Sequence, residues 1–157
     1  MNTKQTTELC QILENWRTDD RELSTCLEEI RDWMSEVNQL GIPHFGETAS
    51  KLQPLRASLR THFEREDRML EKLAEFYPPT SPEVQAFQRQ TSIDHHSLLV
   101  RLDDLHSRLK EIDPPFDSWT AAMDEVDVFF DAMEQHELQE SDRINMLMPK
   151  TCEDPDQ

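Results

Sequence analysis

Two pairs in this chain place a histidine and a glutamate four residues apart, His62 with Glu66 and His136 with Glu140. On a helix that spacing puts both side chains on one face, one turn apart. In each case the face is apolar. The first pair interrupts the series Leu52, Leu55, Leu59, Met69, Leu73, Phe76, and the second interrupts Trp119, Ala122, Val126, Phe129, Met133, Ile144, Leu147. Imidazole and carboxylate at core positions need partners, because an unpaired buried charge is costly and a metal ion meets several such groups at once. A third histidine, His95, lies in the series Val84, Phe87, Thr91, Leu98, Leu102, Leu105, Leu109, Ile112, where Thr91 is the other polar member. Asp20 heads a fourth series, Leu23, Leu27, Ile30, Met34, Val37.

Apolar residues at alternating three- and four-residue steps mark helices packed along one stripe. Four such stripes, with no strand-like alternation, predict an all-α, antiparallel up-down four-helix bundle. The expected helices span about residues 18–39, 46–76, 82–112 and 115–147. Gly41 with Pro43, Pro78-Pro79 and Pro114-Pro115 separate them. Ser81 and Asp113, each before a proline, read as caps, and Pro54 either kinks the second helix or marks its start. The expected division is an N-terminal segment over 1–17 lying across the bundle, a bundle over 18–148, and a disordered acidic tail over 149–157.

The chain's 157 residues suit one domain. Its formal charge of −17 makes nucleic acid and anionic membrane surfaces poor partners. The amino-terminal residues lack a signal-peptide pattern and no run approaches transmembrane length, so a cytoplasmic location is expected. Cys10, Cys26 and Cys152 are odd in number and far apart, which reads as reduced thiols. His96, one residue off its stripe, is expected to be exposed; His44 reads as a capping or packing residue and His106 as a surface residue. No nucleophile with an adjacent base, phosphate loop or dinucleotide fingerprint is present.

His plus carboxylate from two helices, with single ligands from the others, is how bundle cores build dinuclear metal sites. The alternative is a buried network of His, Glu and Asp closed with Thr91. At this point the chain resembles the hemerythrin-like family, the HHE cation-binding domain, whose pattern is a helix-one His, HxxxE on helix two, HxxxH on helix three and a His followed by a carboxylate on helix four. His62 to Glu66 within HFEREDRML matches the second motif, His95 in DHHSLL the second histidine of the third, and His136 to Glu140 the fourth. The resemblance covers about residues 18–147. It implies a non-heme iron centre, two ions by family pattern with one ion or another divalent metal as the variant, held by His62, Glu66, His95, His136, Glu140 and Asp20, with Glu66 and Glu140 bridging. It also implies a small ligand: oxygen, peroxide or nitric oxide. The chain departs from the pattern at Asp20 and Thr91, which stand where histidines are usual. That shift toward carboxylate disfavours reversible oxygen storage and leaves oxidase or ferroxidase activity as an open expectation. The competing expectation is a metal-free bundle acting as an acidic protein-interaction module.

Overall fold

A computed structural model describes residues 2–148 and 152. Four helices follow one another: α1 (Thr3–Gln39), α2 (Phe45–Ala74), α3 (Pro82–Leu109) and α4 (Trp119–Leu147). Neighbours in sequence pack side by side and α1 closes on α4, so the all-α up-down bundle expected from the stripes is the fold. At about 1.5 Å per residue the helices run roughly 40 to 55 Å. Among the described residues no helix is long and apolar enough to cross a membrane.

Residues 3–17 are the beginning of α1 and do not form a separate segment across the bundle. The reason is legible in their spacing. Leu9, Ile12, Leu13 and Trp16 continue the stripe that runs on through Leu23, and all four are buried. Asn2 starts the helix with a reciprocal cap: its side chain accepts from the Gln5 amide at 2.8 Å, while its own amide donates to the Gln5 side chain at 3.1 Å. Residues 149–151 and 153–157 of the expected tail lie outside the described residues.

The turns are set by local chemistry. Gly41 takes a positive φ of 68°, a conformation glycine adopts without steric cost, and it ends the α1 turn. The helix interior continues through Pro54, which neither ends nor starts α2. Pro54 and Ser50, whose carbonyl loses its usual donor there, are both exposed, so the freed carbonyl is not buried without a partner. Ser81 occupies the cap position of α3 without a side-chain cap bond. Asp113 caps nothing, because α4 begins later than expected, where the Ser118 hydroxyl accepts from the Ala121 amide at 3.0 Å.

Two apolar clusters fill the bundle. One includes Leu23, Leu59, Phe63, Leu98, Phe130 and Met133. The other, toward the opposite end, includes Leu13, Trp16, Leu70, Phe87 and Ile144. Between these clusters in sequence, on all four helices, lies a polar layer.

Candidate metal centre

Each helix sends side chains into this layer. From α1 comes Asp20, half-buried; from α2 come His62 and Glu66; from α3, Thr91 and His95; from α4, His136, Glu137 and Glu140. Glu66 is 0 % exposed and Glu140 only 2 %, an environment in which an isolated carboxylate would be strongly disfavoured. The six residues expected from sequence therefore do meet, and Glu137 joins them.

Two groups of ligand-capable atoms form, each within 4.8 Å. The A group is Glu66, His95, His136 and Glu140; the B group is Asp20, His62, Glu66 and Glu137. Among the described residues, Glu66 is the carboxylate common to both. Its Oε1 lies against His62 Nε2, and its Oε2 stands 3.7 Å from His95 Nε2. Glu140 belongs to the A group, with Oε1 2.9 Å from His95 Nε2 and 2.7 Å from His136 Nε2. The family-implied second bridge by Glu140 thus has no counterpart in these groups. Asp20 faces inward, its Oδ1 3.9 Å from His62 Nε2, and Glu137 Oε1 is 3.5 Å from the same nitrogen.

The histidines are aimed from behind. Asp67 Oδ1 lies 3.0 Å from His95 Nδ1, which turns the other ring nitrogen inward, and Phe63 stacks on the His95 ring at 3.9 Å with an 8° interplanar angle. Asp94 Oδ2 stands 3.5 Å from His136 Nδ1, on the corresponding side of that ring. Carboxylates behind imidazoles in this way orient a ligand and raise its basicity.

What the layer lacks is donors. Asp20 Oδ1, both oxygens of Glu66 and of Glu137, and Glu140 Oε2 are all buried without a hydrogen-bond donor, and the Thr91 hydroxyl, which could donate, has no partner either. Acceptors facing one another require either a proton or a cation between them. Without a cation, protons fill the role. Burial, then the neighbouring Glu137 carboxylate and the Glu140 charge, push the Asp20 carboxyl up to about 10. Burial and the apposed Glu140 carboxylate hold Glu66 well above the usual carboxylate range. Burial works against ionisation of Glu140 too, but hydrogen bonds from Glu66, His136 and His95 outweigh it and keep this carboxyl below its ordinary value. Burial likewise opposes a charge on His136, and the Glu140 contact outweighs it and raises that imidazole. The metal-free layer therefore holds ionised Glu140 against protonated Glu66, and protonated Asp20 beside Glu137. The donor set fits divalent cations: four carboxylates would balance two doubly charged ions, and three imidazoles supply nitrogen.

Glu137 was not anticipated because it lies about 100° around the helix from His136, off the stripe that carries the His–Glu pair. A signal did exist. Met123, Phe130, Glu137 and Ile144 are spaced by seven and all are buried, so α4 presents a second inward face, toward α1. His106, expected at the surface, is also buried, at 4 % exposure; it lies four residues after Leu102 on the same inner face. His96 is exposed, as expected. His44 sits at the α2 cap position without a cap bond, its ring edge-on to Trp119 and its Nδ1 3.1 Å from Glu47.

The thiols differ from expectation as well. Cys10 and Cys152 form a disulfide across a sequence separation of 142, and Cys26 is free. Distance along the chain hid this. The start of α1 and the residues after α4 come together at one end of an up-down bundle.

No curated protein and no solved structure matches this chain. The family profile described as "Hemerythrin HHE cation binding domain" does, over residues 11–147, the span that contains every side chain of the polar layer. With most of its length matched, and with His–Glu pairs converging from facing helices, the chain belongs to the hemerythrin HHE cation-binding family.

Proposed function

We propose that the protein is a non-heme iron-binding bundle whose centre takes two ions through His62, Glu66, His95, His136, Glu140 and Asp20, and that it binds a small ligand (oxygen, peroxide or nitric oxide) or handles iron. The observation that carries this reading is the set of buried carboxylate oxygens without donors, arranged with three imidazoles in two groups that share Glu66. Iron bound there would supply Lewis acidity and one-electron chemistry. The protein's part is to hold and orient. Glu66 spans the two halves, Asp67 and Asp94 fix the imidazoles, and Phe63 packs flat on the His95 ring.

Thr91 gives the centre its character. It is buried one helical turn before His95, with a hydroxyl that has no partner. A neutral hydroxyl is a poor metal ligand, so the A half keeps a position for an incoming small molecule. With Asp20 on α1, the donor set is rich in carboxylate and closer to oxidative iron chemistry than to reversible oxygen storage. No residue is assigned a catalytic role. The Cys10–Cys152 bond favours an oxidising compartment over the cytoplasmic location expected from the sequence, since reducing compartments keep thiols reduced.

The test is spectroscopic. Protein loaded with ferrous iron under anaerobic conditions should change its visible spectrum on addition of nitric oxide or oxygen, and Thr91→His should weaken the nitric oxide response by filling the open position. A ferrous-loaded protein that is spectrally inert to oxygen, peroxide and nitric oxide would overturn the small-ligand reading. One observation favours the second reading, a metal-free acidic interaction module: protons alone can close the Asp20–Glu137 and Glu66–Glu140 pairs. That reading predicts protein that takes up no iron at all.

A further inference from the structure

The two halves of the centre are chemically unlike. The A half offers two imidazoles, His95 and His136, with Glu140 and one oxygen of Glu66. The B half offers one imidazole, His62, with Asp20, Glu137 and the other oxygen of Glu66. Glu137 makes the difference. It is 9 % exposed, and neither of its oxygens meets a donor.

The B half also has its own approach from solvent. A cleft of about 350 Å³ between α1 and α4 is lined by Asp20, Glu28, Glu134, Glu137 and Ser141. The Ser141 hydroxyl donates to Asp20 Oδ2 at 3.4 Å, which leaves Asp20 Oδ1 directed at His62 and without a donor. Glu134 is held at the rim by Arg31, 3.1 Å away. A negative cleft ending on buried, unpartnered carboxylate oxygens concentrates cations and strips them toward oxygen ligands.

Hard cations prefer carboxylate oxygen, whereas imidazole suits the borderline ions. We propose, on the reading that this layer is a metal centre, that its halves take cations of different class: a hard, oxygen-preferring divalent ion of the manganese type in the B half, and a borderline ion of the ferrous or zinc type in the A half, with Glu137 setting the distinction. The shared carboxylate, Glu66, then joins two unlike ions. Nitrogen count fixes which ion goes where. Removing the charge of Glu137 weakens the B half and leaves the A half as it was.

The experiment uses full-length protein stripped with chelator and preloaded with one equivalent of Zn²⁺, then titrated with Mn²⁺, the free ion being followed by its six-line electron paramagnetic resonance signal. One Mn²⁺ per chain should bind. Glu137→Gln, which keeps shape and removes charge, should weaken Mn²⁺ binding by about tenfold or more and alter Zn²⁺ binding by no more than about twofold. His136→Gln should show the reverse pattern. Glu137→Asp, which keeps the charge but withdraws it, should fall between, and it serves as the test should the Gln variant fail to fold. Mn²⁺ that binds Glu137→Gln as tightly as the parent would overturn the inference. So would a Glu137→Gln variant that loses both ions equally, or a zinc-loaded parent that takes no Mn²⁺. A parent that binds neither ion defeats the metal-centre reading itself, a different failure from the other three.

Discussion

Loading the centre with cations should expel protons, and the number follows from its geometry. In the metal-free fold, Asp20 keeps its proton up to about 10 and Glu66 keeps its own well above the ordinary range, because each is buried against another carboxylate. A cation placed among those oxygens takes the protons' place, so full loading at pH 7 should release about two protons per chain, with His136 adding a share toward pH 6. Calorimetric titration in buffers of different ionisation enthalpy reads that number from the slope of observed heat against buffer heat. Asp20→Asn and Glu66→Gln should each lower the count by about one. The same protons govern stability. A carboxyl whose folded pKa is raised contributes stability that is fully present below its unfolded value and is lost as pH rises through the folded value. Asp20 alone, with its folded value at about 10, gives a slope of up to about 1.4 kcal/mol per pH unit, and Glu66 acts in the same direction. Metal-free protein should therefore gain about 2 kcal/mol from Asp20 between pH 8 and pH 6.5, measured by denaturant unfolding. Heats of metal binding independent of buffer would refute the reasoning, since the carboxylates would then already be ionised.

Asp67→Asn removes the charge behind His95 without touching the two groups of ligand atoms, and it should weaken iron binding by roughly 10- to 100-fold in a chelator competition while leaving the circular dichroism spectrum unchanged. Reducing the Cys10–Cys152 bond, or substituting Cys10→Ser, should cost about 2–4 kcal/mol in unfolding experiments, because a long loop is released in the unfolded chain. Alkylation without reductant should modify Cys26 alone; three modified thiols in native protein would show the bond to be absent. Burial, with help from Arg56 and Lys110, lowers the His106 pKa, so its contribution is present above the unfolded value near 6.5 and is lost as pH falls through the folded value. His106→Leu should flatten the loss of stability between pH 6.5 and pH 5, and an unchanged acid limb would remove His106 as its source.

Much of this was legible because the bundle repeats one rule. Every buried residue of the α1 stripe from Leu23 to Val37 keeps the three-four step, and polar residues that interrupt such a step, His62 and Glu66 among them, had to meet inside. The same rule, followed further back through Trp16 and Leu9, would have given the true start of α1. Glu137 and His106 escaped because a helix in a four-helix bundle has two neighbours and so a wider inner face than one stripe describes. Phe63, one residue after His62, shows this too: it is fully buried and stacks on His95. The disulfide was invisible for a different reason, since sequence spacing says nothing about which chain ends share one end of a bundle. That Glu66, and no other of the described residues, joins the two groups depends on which carboxylate oxygen faces which helix, and spacing does not determine it.

The central claim is that this polar layer is a place for two cations joined through Glu66, and metal content tests it most directly. Protein purified without added metal, or reconstituted with ferrous iron under anaerobic conditions and desalted, should carry about two equivalents of metal per chain by elemental analysis, and Glu66→Ala should carry fewer than about one. Parent protein that retains no stoichiometric metal after reconstitution, or a Glu66→Ala variant that retains the full complement, would contradict the account.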